Sequence, residues 1–216
     1  MVKHIGTCEL ETKRIYLRKF RRDDAKMIFH NWTSDHELAC YVIWPIHQHI
    51  DTTVKILEEW EKSYQNPQIY QWAIVLKETQ EVIGSISLFN MVTFFHKSET
   101  ICELGYCLSR KYWNQGLITE AAYEVLRFAF NRVGFTRVKA RHDVINSASG
   151  RVLEKLGMHD IGLLKRVCRN AQGGWIDCRV YTIDKDDFLN FKDNNDGSLH
   201  PKIKELHRDD TIDNCH

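Results

Sequence analysis

The sequence has no apolar run near the roughly 20 residues that cross a bilayer core, so no membrane-spanning helix is expected. It has no C-x-x-C pair among its seven cysteines, Cys8, Cys40, Cys102, Cys107, Cys168, Cys178 and Cys215. An odd count without paired spacing implies no disulfide framework and argues against zinc, so no metal is expected. It has almost no net charge, because 30 Lys and Arg face 29 Asp and Glu, leaving +1 with His neutral. No general attraction to nucleic acid or to an anionic membrane follows from that balance. Proline is scarce, at three residues, and there is no Pro- or Ser-rich linker and no internal repeat. The first residues, Met-Val-Lys-His and then Glu-Thr-Lys-Arg, hold no apolar signal-peptide core. With free thiols, that points to a cytoplasmic protein.

What is present is a core's worth of apolar residues, 43% of the chain. That fits one globular domain, expected over residues 1–192, followed by a polar tail over 193–216. Within the domain, strand and helix signals alternate. A short strand at Ile15-Tyr16-Leu17 precedes a helix capped by Asp23 or Asp24. A second helix starts near Asp51, with Val54, Leu57, Trp60 and Tyr64 at helical spacing. Three strand-like runs follow, Gln71–Leu76, Val82–Leu88 and Ile101–Leu108. A helix is predicted from Leu117 to Asn131 and a strand from Val138 to Val144. Asn146 then caps a short helix stopped by Gly157. A hairpin of Lys165–Cys168 and Trp175–Ile183 ends the pattern. Hairpins pair antiparallel, and the crossover from the Ile101 strand to the Val138 strand supplies one parallel pair. The expected fold is therefore α/β (α+β), a mixed, mostly antiparallel sheet with helices on both faces.

The chemistry concentrates in Leu108 to Ala121, a strand-to-helix connection. Unpaired N–H groups at a helix start, with the positive end of the dipole, can hold a diphosphate without side-chain charge. Gly116 stands where the backbone must approach closely. By itself such a segment is also an ordinary turn before a helix.

Three ordered motifs make the segment more specific. Tyr112 to Ala121 resembles the Tyr-Trp-Gly-x-Gly-Tyr-Ala-Thr-Glu-Ala loop of the GNAT superfamily of N-acetyltransferases, in its Rim-type ribosomal-protein branch. Glu103-Leu104-Gly105-Tyr106 resembles that branch's Glu-Ile-Gly-Tyr strand, and Asn146 to Met158 its Asn-x-x-Ser-x-x-Val-x-Glu-Lys-x-Gly-Phe helix. The similarity covers about Thr12 to Leu189. Two positions depart from the pattern. Asn114 replaces a Gly, and can still adopt the left-handed turn. Ile118 replaces a small residue, and is expected to crowd the cofactor unless it lies inside the helix.

The resemblance implies acetyl-CoA as acetyl donor and a sheet splayed beside the cofactor. Trp113, Asn114, Gln115, Gly116, Leu117, Ile118 and Thr119 would form the diphosphate loop. The backbone of Tyr106, Cys107 and Leu108 would pair with the pantetheine arm like an added strand. Asn146 has two compatible readings, helix cap and pantetheine ligand. Ser149 is either an ordinary first-turn serine or a donor to the departing thiolate. Glu103, at an alternation position in an apolar strand, is the candidate base, and its alternative reading is a carboxylate paired with Lys or Arg. Tyr106 is read as sharing the face of Glu103 and as an alternative acid. Cys107 is discounted as a nucleophile. His142 and Asp143 are read as finishing the sheet rather than forming a triad.

For the acceptor amine, the loop Trp44-Pro45-Ile46-His47-Gln48-His49 and Tyr41 are candidates, with Tyr41, Trp44 and His47 as substrate-binding residues. Phe89 to Lys97 offers another lip, for substrate or for a homodimer. The acceptor itself stays open between a protein or peptide N-terminus and a polyamine or antibiotic. A non-catalytic acyl-CoA-binding module is the other reading.

Overall fold

The computed structural model describes residues 2–94, 99–171 and 173–195. Strands β1 (Leu10–Glu11) and β2 (Ile15–Arg18) form a tight hairpin. Helix α1 (Ala25–Ile28) continues as a wider π-turn through Thr33, and α2 (Ile50–Ser63) follows a long connection. The meander β3 (Tyr70–Leu76), β4 (Val82–Phe94) and β5 (Glu99–Leu108) comes next. Then come α3 (Leu117–Phe128), β6 (Arg137–Asp143), α4 (Ser147–Lys155), β7 (His159–Arg169), β8 (Trp175–Asp184) and α5 (Lys185–Asn195).

The described strands make one sheet of eight, in the order β1-β2-β3-β4-β5-β6-β8-β7. Every neighbouring pair is antiparallel except β5 and β6. Helices cover both faces. Leu117, Ala121, Val125 and Leu126 of α3, Leu153 of α4 and Phe188 of α5 bury against one face, with Trp72, Leu104 and Val138. Ile28 and Leu57, from α1 and α2, bury against the other, with Ala73, Val75 and Cys107. The mixed sheet with two helical layers is the expected architecture. Strand β3 lies deep in the sheet and reads as a nearly continuous apolar run, because both its faces are covered.

The sheet is longer than the sequence pattern predicts. β1 was not expected, and β7 runs well beyond Lys165–Cys168. Both are edge strands, and most β7 side chains are exposed, so the alternation that marks a half-buried strand is weak there. Helix α5 was not expected either. It carries the chain past the predicted boundary at residue 192, anchored by buried Phe188. Tail residues 196–216 lie outside the described residues, as do 95–98 of the expected lip and Gln172 of the hairpin loop. Among the described residues no helix is long and apolar enough to cross a membrane, and no cluster of His, Cys, Asp and Glu could hold a metal.

Candidate active site

Strands β5 and β6 pair for only four residues, from Ile101 with Arg137 to Leu104 with Ala140. Beyond that point β6 stays with β8 and β5 stays with β4, so the two diverge. Ser109 N–H donates to Ile83 O, towards β4, while the Trp113 indole donates to Leu108 O from the other side (2.8 Å). Alternation along β5 then turns the Tyr106 amide and carbonyl, and the Leu108 N–H, into the gap. The neighbouring Cys107 amide turns towards β4. The open donors of the strand are thus the neighbours of Cys107 rather than Cys107 itself.

A cavity of about 440 Å³ occupies this gap. Tyr106, Cys107 and Leu108 form one wall, and Trp113, Asn114 and Gly116 the loop above it. Leu117, Ile118 and Thr119, the first turn of α3, close the end. That helix start has no side-chain cap, and its first internal bond runs from Glu120 N–H to Gly116 O. The amides of Leu117, Ile118 and Thr119 therefore have no helical partner. Uncapped amides lining a cavity are what a diphosphate requires, so the residues present fit the predicted group. Asn114 (φ 59°) and Gly116 (φ 75°) are both left-handed, so Asn114 keeps the turn that Gly would make. Ile118 does lie within the helix, and packs partly against the core. Gln115 does not line the cavity. Its side chain returns to Lys111 O (3.2 Å).

Helix α4 supplies the opposite wall. Asn146 Oδ1 accepts from Ser149 N–H (3.1 Å), so the cap reading holds, and the amide NH₂ is the half that the cap does not use. Ser149 Oγ donates to Tyr106 Oη (2.9 Å), and Tyr106 Oη donates to the Ser149 carbonyl (3.2 Å). Burial pushes the Tyr106 phenol well above its ordinary range, against the opposing effect of the Ser149 hydrogen bond. The phenol is thus a proton carrier that stays protonated at neutral pH. Burial, with the charge of Asp35, pushes the Cys107 thiol up to about 12, which removes it as a thiolate nucleophile.

A second cavity, about 610 Å³, opens on the α1–α2 side. It shares Tyr41, Val42, Tyr106, Asn146 and Ser149 with the first. Tyr41 and Trp44 line it, and Tyr41 meets the Trp113 ring edge-on at 6.0 Å. His47 lines it too, buried, with Nδ1 2.8 Å from Thr53 Oγ1, and burial holds its imidazole below the ordinary range. His49 is instead the exposed residue before α2. Phe89 forms part of the lip.

Glu103 faces this second cavity as an engaged carboxylate. Oε1 lies 2.8 Å from Arg141 Nε, and Oε2 accepts from Asn90 Nδ2 at 2.9 Å. The paired alternative weighed for it is the arrangement seen. Tyr106 does not share its face. Tyr106 is three positions along from Glu103, an odd offset, so a regular strand points them to opposite sides. Tyr106 accordingly reaches α4, and Glu103 reaches Arg141. His142 Nδ1 lies 2.7 Å from the Asp143 carbonyl, and His142 faces Gly150 and the Tyr181 ring, with no triad.

The structure also adds residues. Arg151 and Lys155 of α4 line the first cavity, and bring positive charge to the wall facing the loop. Their spacing of four on a short amphipathic helix was the available signal. Leu38 and Val42 reach the same cavity from the α1–α2 connection, where no periodicity marked them.

Residues 14–159 match the family described as acetyltransferase (GNAT) domain. The uncharacterized N-acetyltransferase YoaA of Bacillus subtilis (strain 168) is 29% identical over 176 residues, 82% of this chain and 96% of that protein. Among solved structures, the ribosomal-protein-S5-alanine acetyltransferase of Vibrio fischeri superposes with a TM-score of 0.70 at 22% identity, covering 84% of this chain and 98% of that one. Mycobacterium smegmatis RimJ, solved in complex with CoA-disulfide, gives 0.72 at 18% identity, over 88% and 97%. At these identities the two structures share the fold.

Proposed function

Because this chain belongs to the GNAT acetyltransferase family and is an acetyltransferase, we propose that it moves an acetyl group from acetyl-CoA directly to a primary amine held beside it. The observation that carries this reading is the meeting of two cavities at Tyr106, Asn146 and Ser149. The donor's diphosphate would rest on the amides of Leu117 to Thr119 and its pantetheine along the open side of β5. The thioester would then end at the junction, and the amine would approach through the second cavity.

A group can be proposed for each step of acyl transfer. The amine nitrogen attacks the thioester carbon, and the Tyr106 N–H facing the gap would stabilise the oxyanion, leaving the Leu108 N–H to the pantetheine arm. The carbon–sulfur bond then breaks, the thiolate takes the Tyr106 proton, and the attacking nitrogen gives up its second proton to restore the Tyr106–Ser149 pair. The ammonium must first lose a proton. Glu103 remains the proposed acceptor, through a water, because Arg141 and Asn90 already engage both its oxygens.

The acceptor we favour is a peptide or protein N-terminus. The second cavity is walled by Trp32, Tyr41, Trp44, Trp60 and Phe89, which suit an apolar body beside a single amine. Of its carboxylates, Glu103 is matched by Arg141, and Glu59 is exposed. Asp143 already accepts from Ile145 N–H. A polycation would need more unmatched acid than that. The name of the Vibrio fischeri neighbour, an S5-alanine enzyme, agrees with this choice.

The test is release of free thiol from acetyl-CoA against a panel of N-terminal peptides, polyamines and aminoglycosides, with mass spectrometry of the products. Acetylated peptide α-amines are expected. Turnover confined to polyamines would overturn the acceptor, and tight acetyl-CoA binding without turnover on any amine would overturn the catalytic reading.

A further inference from the structure

Arg14 stands behind the diphosphate loop, on the β1–β2 turn, and its side chain spans two parts of it. Nη1 donates to the Gln115 carbonyl (2.9 Å). Nε and Nη2 hold Glu120 Oε2 at 2.7 and 2.6 Å. Glu120 is buried one turn into α3, and Oε1 also accepts from Thr12 Oγ1 (2.6 Å) and from the Arg14 backbone N–H (2.9 Å). The turn, the loop and the helix start are thus bound to one another through a single guanidinium.

We infer that Arg14 is a positioning residue for the donor's diphosphate, acting through the Gln115–Gly116 peptide and through Glu120; the inference rests on the acetyl-CoA reading above. The first effect is geometric. Carbonyl and N–H point opposite ways across a planar peptide. With Gln115 O fixed outward on Arg14, the Gly116 N–H is fixed inward, towards the cavity that Gly116 lines. Left-handed residues flank that peptide, Asn114 at φ 59° and Gly116 at φ 75°. Gly116 can adopt several conformations at little cost, so the hydrogen bond from Arg14 selects one orientation of the peptide. The second effect is electrostatic. A carboxylate one turn below the free amides of α3 would oppose a bound anion. Glu120 occupies that place, and Arg14 cancels its charge at contact distance. Lysine cannot replace this arrangement, because a single ammonium lacks the fork that reaches a carbonyl and a carboxylate together.

The experiment compares kcat/KM for acetyl-CoA with kcat/KM for S-acetylpantetheine, which has the same thioester and no diphosphate. The parent should prefer acetyl-CoA strongly. In Arg14→Gln that preference should fall about tenfold, the size expected for losing a hydrogen bond to a charged group. Arg14→Lys keeps a charge beside Glu120 and so protects the fold, and it should lose most of the same preference. A general weakening of the structure lowers both rates and leaves their ratio in place. An unchanged ratio in either folded variant overturns the role of Arg14. A parent that does not distinguish the two donors overturns the diphosphate site itself.

Discussion

Glu103 and Tyr106 stand on one strand and serve two cavities. Tyr106 meets Ser149 on the donor side and carries the proton proposed for the leaving thiolate, although burial makes the phenol a weaker acid than a free one. Tyr106→Phe should lower kcat by about 10²-fold, the scale of one general acid, with little change in KM for acetyl-CoA. Pre-steady-state thiol release checks this, and an undiminished rate would leave Ser149 as the proton source. Glu103→Gln should lower kcat while acetyl-CoA binding persists. Unchanged turnover across pH would remove Glu103 as base. Which side each residue serves was only partly legible. Residue type singled out both, but facing depends on counting along the strand. The partner of Glu103, Arg141, comes from β6, which no local pattern brings alongside.

At the scale of elements, the α3 start and the α4 start frame the proposed donor site between them. Both were readable, because a helix start is written in a few adjacent residues. Gly116, Asn114 and Asn146 each announce a backbone conformation or a cap. The edges of the sheet were not. β1 has two residues, and β7 exposes Ile161, Leu163 and Leu164 to solvent, so neither shows the apolar alternation of a covered strand. Asn146 allows cap and ligand to be separated. Asn146→Ala should cost about 1 kcal/mol of stability, and Asn146→Ser should restore it. If the amide NH₂ also binds pantetheine, acetyl-CoA affinity stays reduced in both. Thermal melts and titration of the donor check the pair; full recovery of affinity in Asn146→Ser would make the residue a cap alone.

At the scale of the molecule, buried imidazoles set how the fold answers acid. Burial lowers the folded pKa of His47 and of His4 below 6.5. A group with a depressed folded pKa contributes stability above its unfolded value and loses it as pH falls through the folded one. The melting temperature should therefore decline as pH drops below about 6.5, before the carboxylates Asp35, Glu81 and Asp184, all held below their ordinary carboxylate values by hydrogen bonds and neighbouring cations, begin to protonate. His47→Gln should make the decline shallower between pH 7 and 5. An identical pH profile in the variant would place the effect elsewhere. The overall architecture followed from the order of strand and helix signals. What that order could not give was the extent of β5–β6 pairing, which depends on which neighbour each strand keeps.

That short pairing has a thermodynamic consequence. Only four residues of β5 find a partner in β6, and the amides beyond them are left facing the gap without a strand. A donor lying along β5 would supply the missing ladder, so occupancy and folding become linked quantities. At a hundredfold excess over its dissociation constant, such a ligand adds about 2.7 kcal/mol to the unfolding free energy. Hydrogen exchange at Tyr106 and Leu108 should slow on adding CoA, while the amides of β3, already paired on both sides, change far less. The fold would then keep its own record of the acyl-donor supply, read out as the rate at which its central sheet opens.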